Sequence, residues 1–438
     1  MSTTRRIIGG AAAVTAGALA LGLAGCSADA GEQAGGESPD ELTIWWIQSP
    51  DSPIGQGWQM ALDEFEAAHP EVEVTFETKS WDQLRQTGQM ILNSPEAPDI
   101  LEYPKGNASA GTVVKAGLLT DLEDVAVERG WTEILPESLQ TVGRYDERGL
   151  MGSGALYGVP GYGEYVSVFY NVDVLAERGY EPPTTVAEFE TIMADFTADG
   201  VTPIALGASD YPLVHLVYAL ALSEADQQWV RDFQFFDGPV DFHDAAWTFA
   251  AEKIAEWTEA GYIGADATGI DSVGAATGFK SGANPFFVSG SWFHGEFATD
   301  ITDFEWGTFR FPGSGLSLGS GGHIWVVPAQ SESKELAYDF IDYALSPEVQ
   351  TAIANLGGIP VAADRASVTD PVGQMAVDDF DQILADDALG LYPDWPVAGY
   401  YEVFLAAGQQ LVLGSTTPDE FLDTIGAAYE TGKADAGL

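Results

Sequence analysis

The sequence predicts an α/β protein of two doubly wound halves joined by extended crossings. Three observations carry this. A strand–helix–strand–helix–strand order opens after residue 41, and a second α/β series begins after residue 171. The 438 residues, 46% of them apolar, are also more than one ordinary core of about 150–200 residues takes up.

Residues 42–47, LTIWWI, form an apolar run without alternation, as expected of a strand buried on both faces of a parallel sheet. Apolar residues at Trp58, Ala61, Leu62 and Phe65 then recur at helical spacing across 56–68, and His69-Pro70 stops that helix. Residues 71–78, EVEVTFET, alternate as a strand does; Ser80 can cap a helix running to Leu92, and a third strand starts at Pro98-Asp99-Ile100-Leu101. In a doubly wound sheet ligands sit beyond the carboxyl ends of the strands. That rule points to Trp46, Gln48, Glu102 and Tyr103; Trp81 opens the second helix and can lean into the same space, whereas Asp99 reads as a structural acid at the start of its strand.

Residues 156–171, LYGVPGYGEYVSVFYN, place two apolar extended runs around a Gly-rich segment that can bend and let a backbone approach a ligand. This stretch reads as the first crossing between the halves, with Glu164 at the mouth of their cleft. Beyond it, Thr185 and Glu188 form a capping box for a helix to Ala198, and 202–206 reads as a strand. Residues 212–222 and 243–260 read as helices, the latter with Phe249, Ala250, Ile254 and Trp257 on one face. An apolar run at 285–289 is halted by Gly290-Ser291-Trp292. Strands are expected at 307–311 and 323–328, followed by a helix over 332–345. Ser346-Pro347-Glu348 opens the next helix, Gly357-Gly358 closes it, and Thr417 to Glu420 form a second capping box before the last one.

The first 26 residues are set apart from the fold. Arg5 and Arg6 precede a Gly/Ala-rich apolar stretch that ends in Leu23-Ala24-Gly25-Cys26, the layout of an export signal. Its ending resembles a bacterial lipobox, so Cys26 is the expected lipidation site and would hold the protein to the outer face of the membrane through lipid alone. Residues 27–40, SADAGEQAGGESPD, then form a tether with a span of about 20 Å. Cys26 is the one cysteine, so neither a disulfide nor a catalytic thiol is available.

The chain carries 17 basic against 67 acidic side chains. Removing residues 1–25 takes away two arginines and no acid, so the exported body is more acidic still. Such a surface repels nucleic acid and anionic headgroups. There is no His-Glu-x-x-His helix or Walker loop, and the five histidines show no metal-ligand spacing, so neither metal nor cofactor is expected.

Three blocks in order carry a family resemblance. LYGVPGYGEYVSVFYNVDVLAERGYEPPTTVAEFETIMADFTADGVTPIAL, FKSGANPFFVSGSW and GGHIWVVPAQSESKELAYDFIDYALSPEVQ resemble the corresponding runs of family 1 extracellular solute-binding proteins. The resemblance implies a periplasmic-binding-protein-like fold, similar in layout to maltose-binding protein. It also implies a monomeric, carbohydrate-binding partner of an ABC permease that performs no covalent chemistry. Three crossings are implied, near 157–164, 305–313 and 357–362. One lobe would then hold 41–156 and 310–358, and the other 157–309 and 359–438. Two departures stand out: Pro285 precedes the Gly-Ser-Trp block, which bears on the local strand, and Gln48-Ser49-Pro50-Asp51 lacks the acid–base pair of some maltose binders, which leaves the specific sugar open.

A neutral sugar presents apolar C–H faces and a rim of hydroxyls, so its site needs flat aromatics together with carboxylates or amides. The resemblance implies a stacking platform at Trp292, a hydroxyl-binding carboxylate at Glu164, ligand contacts at Asp210 and Tyr211, and a C-terminal stacking aromatic at Tyr400, with Trp395 its rival. His323, after Gly321-Gly322, can donate to a hydroxyl. Trp45 and Trp46 point to opposite faces of their strand, and Trp46 is the one assigned to the site. Two other readings use the same residue types. Acidic and aromatic side chains would also hold a cationic small molecule, and two carboxylates in an aromatic cleft describe a secreted glycoside hydrolase.

Overall fold

A computed structural model describes residues 41–438. The export signal, Cys26 and the 27–40 tether lie outside the described residues. In chain order the strands are β1 (Glu41–Trp46), β2 (Glu73–Thr78), β3 (Ile100–Tyr103), β4 (Arg144–Tyr145), β5 (Ala155–Leu156) and β6 (Val159–Pro160). They continue as β7 (Gly163–Asn171), β8 (Ile204–Ala205), β9 (Phe286–Gly290), β10 (Trp306–Phe309), β11 (Gly319–Gly321) and β12 (Ile324–Val326). One sheet has the order β2-β1-β3-β12-β6, with β1 parallel to both β2 and β3 and β12 antiparallel to β3 and β6. The other has the order β10-β7-β9-β8, and β11 pairs with the first part of β7. Strands β4 and β5 pair separately. Each large sheet, with its helices, is one lobe of an α/β, periplasmic-binding-protein-like fold.

The first crossing is short. β6 ends at Pro160 in the first sheet and β7 begins at Gly163 in the second, which leaves Gly161-Tyr162 to span the lobes. The second crossing is Gly322-His323, because Gly321 pairs with Gly163 while Ile324 pairs with Tyr103. This corrects the expected crossing at 305–313. β10 pairs along β7, Phe309 opposite Val168, and the chain stays with the second sheet through β11. Gly319-Ser320-Gly321 has no branched or aromatic side chain to announce a strand, so periodicity misses it. The two crossings lie side by side, with Gly322 N–H donating to the Tyr162 carbonyl at 2.6 Å. A Cβ on Gly322 would stand 2.3 Å from the Tyr162 ring, so glycine is required there. The chain returns once more after helix Pro347–Asn355, which packs on helix Pro53–Ala68; Ile359 then bridges to Gly163, and helix Pro371–Ala385 packs against β7.

Both faces of the first sheet are covered, which explains the unalternated β1. Leu42, Ile44 and Trp46 meet Trp58 and Phe65 of helix Pro53–Ala68 and Phe340 of helix Lys334–Ala344. Trp45, Leu101 and Tyr103 meet Leu84 and Leu92 of helix Trp81–Leu92 on the other face. Ser80 accepts from Gln83 N–H as the cap of that helix, and both expected capping boxes form, at Thr185 with Glu188 and Thr417 with Glu420. Helix Ala245–Glu259 buries Ala250, Ile254 and Trp257 together with Trp247; Phe249 is only half-buried.

Candidate ligand site between the lobes

The first lobe brings the ends of β1 and β3 together. Glu102, on β3, is fully buried and accepts from Ile47 N–H at 2.8 Å and from Gln48 Nε2 at 2.7 Å. The same Gln48 nitrogen donates to the Tyr162 hydroxyl at 2.9 Å, tying the strand end to the first crossing. Burial pushes the Glu102 carboxyl from its ordinary 4.5 up to about 7, against the hydrogen bonds from Ile47 and Gln48. The native state therefore keeps this proton to a higher pH than the unfolded chain does. Stability from this group is complete at acid pH and falls by about 3 kcal/mol as pH rises from 4.5 to about 7. Glu102→Gln is expected to remove that part of the slope, seen by comparing Tm at pH 5 and pH 8 in both proteins.

Two residues past β3, Lys105 is 3% exposed and donates to Glu164 Oε1 at 2.5 Å. Glu164 lies at the start of β7, so this buried ion pair joins the lobes beside the first crossing. His323, in the second crossing, is kept neutral by burial and by the Lys105 charge, which lower its pKa well below the usual histidine range. Its Nδ1 has no hydrogen-bond partner.

The second lobe supplies the aromatics. β9 ends at Gly290, and Trp292 follows after Ser291, with its Nε1 donating to the Tyr211 hydroxyl at 3.1 Å. A Cβ on Gly290 would fall 2.0 Å from the Trp292 ring, so the glycine makes room for the indole. Tyr211 starts helix Tyr211–Leu222, and the Asp210 before it accepts from Ser272 N–H and Oγ at 3.1 and 2.7 Å. Burial raises the Asp210 carboxyl, and its Oδ1 is without a partner. One turn along, His215 stacks obliquely near Tyr211 and Tyr392, at 5.0 and 5.2 Å between centroids, and burial lowers its pKa to about 3. Tyr392 and Trp395 meet at 5.3 Å. Asp394 between them is pushed up by burial to about 6, with Lys105 pulling the other way.

Across the lobes, Trp81 meets Tyr401 edge to face at 5.5 Å and 80°. The interlobe cluster thus holds Gln48, Trp81, Glu102, Glu164, Asp210, Tyr211, Trp292, His323 and Trp395 of the residues singled out from the sequence. Three others lie elsewhere. Trp46 stacks on Phe76 at 4.5 Å and 22°, lining a surface hollow of about 340 Å³ with Pro50, Gln56 and Met60. Strand alternation puts it on the face of Leu42 and Ile44. Tyr103 is buried beneath helix Trp81–Leu92, where a Cβ on Gly88 would stand 2.5 Å from its hydroxyl. Tyr400 is buried among Phe233, Phe404 and Tyr429, and it is the neighbouring Tyr401 that meets Trp81. Asp99 accepts from Thr43 N–H and Ser331 Oγ, a structural role.

Sequence reasoning passed over Lys105, Tyr162, His215, Tyr392 and Tyr401. The strand-end rule could have found Lys105, the lone base just beyond β3; the aromatic turn LYPDWP could have flagged Tyr392. Among the described residues, no group of three His, Cys, Asp or Glu side chains is placed to hold a metal.

The profile of the family "Bacterial extracellular solute-binding protein" matches residues 49–351, about two thirds of the chain. The chain belongs to that family. It is 28% identical over 374 residues to the diacetylchitobiose binding protein DasA of Streptomyces coelicolor, covering 80% of each chain. A probable sugar-binding periplasmic protein of Rhizobium meliloti is 25% identical over 260 residues, 57% of this chain and 59% of its own. Among solved structures, a chitin oligosaccharide binding protein superposes with a TM-score of 0.77 at 20% identity, over 91% of this chain and all of its own. The GacH receptor of Streptomyces glaucescens gives a TM-score of 0.69 at 24% identity, over 90% and 98%. At those identities the structures share the fold. The matched span includes Tyr211 and Trp292 and ends before Tyr392, Asp394, Trp395 and Tyr401.

Proposed function

We propose that this protein captures a neutral carbohydrate between its lobes and delivers it to the transmembrane subunits of an ABC permease. The observation that carries the reading is the interlobe cluster, in which Trp292, Tyr211, Tyr392 and Trp395 offer flat rings beside Glu102, Glu164, Asp210 and Asp394. Rings suit the C–H faces of a sugar and carboxylates its hydroxyls. The named ligand of DasA makes diacetylchitobiose the first compound to test. Hydrogen bonds to charged acceptors at about 1.5–3 kcal/mol each, with a stacked ring or two, reach micromolar affinity. A sugar touching both lobes stabilises the closed form, which is what a permease would read.

Calorimetric titration with diacetylchitobiose, raffinose and stachyose tests the reading; saturable binding to none of a broad neutral panel overturns it. Chromogenic glycosides should be bound without turnover. Trp292→Ala is expected to weaken sugar binding about ten-fold or more. A lowered Tm with unchanged Kd would instead make Trp292 a packing residue. Export and lipidation at Cys26 belong to the same proposal, and Cys26→Ala should move the protein from the membrane fraction to the soluble one.

A further inference from the structure

Lys105 has a setting out of keeping with a simple surface base. It leaves the first lobe just after β3 and enters a box made by the second. Its ammonium is 2.5 Å from Glu164 Oε1 and lies 5.6 and 5.4 Å from the ring centroids of Tyr392 and Trp395. Glu102 and Asp394 are the other acids whose charge reaches it, and His323 is the neighbouring neutral base. Two ring faces and a carboxylate around a buried cation are the composition that recognises organic ammonium ligands. Trp395 is held in position by the backbone, since Ala108 N–H donates to its carbonyl at 2.9 Å and a Cβ on Gly106 would stand 2.6 Å from its ring.

The rim of the cleft repeats the pattern. Arg85 of the first lobe pairs with Glu402 and stands 4.7 Å from the ring of Tyr401, both from the second lobe. With 67 acids in the chain, acidic neighbours are expected around any base. Lys105 and Arg85 are each placed across the lobes against an aromatic ring and an acid.

We infer that Lys105 is a tethered cation occupying an ammonium box on the opposite lobe, so that it sets the specificity of the cleft for neutral over cationic ligands and helps hold the lobes together. This rests on the interlobe cluster being the ligand site. A cationic ligand would have to compete with Lys105 for Glu164, Tyr392 and Trp395 against like-charge repulsion, at a local concentration of the tethered group that free ligand does not reach. A neutral polyol meets no charge repulsion, can stack on Trp292 and Tyr211 without displacing Lys105, and can accept from the ammonium N–H groups that Glu164 leaves over.

Tetramethylammonium is the probe. The wild type should bind it no better than a surface control, whereas Lys105→Met removes the competing charge from the box and is expected to gain saturable binding, at least about ten-fold tighter than wild type. Adding Tyr392→Leu should abolish the gain. Lys105→Gln is smaller and keeps a donor for Glu164, so it tests the same point should the methionine variant fold poorly. In small-angle scattering without ligand, Lys105→Met should show a larger radius of gyration than wild type, and tetramethylammonium should restore compactness. Equal tetramethylammonium binding by wild type and both variants, or no gain in either, overturns the inference. None of these readouts uses a sugar, so a failure of the carbohydrate reading and a failure of this one are separately visible.

Discussion

Glu164→Ala is expected to destabilise the protein by about 3–5 kcal/mol, because it leaves the Lys105 ammonium buried without its counter-charge. The pair is buried on both sides, at 2% and 11% side-chain exposure, so solvent does little to soften the loss. A partner variant separates this from mere truncation. Lys105→Met combined with Glu164→Gln removes both charges and should recover most of the lost stability, since replacing a whole buried pair by groups of similar volume is often neutral. Urea unfolding of the wild type, both single variants and the double variant gives the cycle. A double variant as unstable as the sum of the singles would mean that the two side chains act independently. The Arg85–Glu402 pair offers the contrast, since Glu402 is half exposed and its loss should matter far less.

Phe189→Ala is expected to cost a further class of stability, again about 3–5 kcal/mol, through the cavity it opens. The ring is fully buried in helix Val186–Ala198 and meets Phe286 edge to face at 4.9 Å, with Phe309 at 5.8 Å and Trp257 at 5.9 Å. It therefore holds β9 and β10 against two helices of the second lobe, behind the strand that delivers Trp292. Thermal unfolding should show the loss directly. The Kd for the cleft ligand should move much less than in Trp292→Ala, because Phe189 packs beneath the site without touching it. An equal loss of affinity would show that the position of Trp292 depends on this core.

What was legible before any coordinates follows from local rules. Helix starts at Ser80, Thr185 and Thr417 are local hydrogen-bonding arrangements within four residues, and all three form. Glu102 and Gln48 come together because a parallel strand sends its carboxyl end to one edge of the sheet, whatever the rest of the chain does. The same rule misplaced Trp46 and Tyr103. It gives the end of a strand but leaves open which alternate side chain a covering helix takes.

The sequence by itself determined the two α/β lobes, the family and most of the residues that meet between the lobes, since strand ends, caps and motif blocks are properties of short stretches. Only the tertiary structure decided that the second crossing runs through Gly322-His323, that Tyr401 and not Tyr400 meets Trp81, and that Lys105 closes on Glu164, 59 residues away. The reason is physical. A contact between side chains far apart in sequence is fixed by the sheet register and by which helix face is buried, and neither leaves a periodic trace at the residues that finally touch.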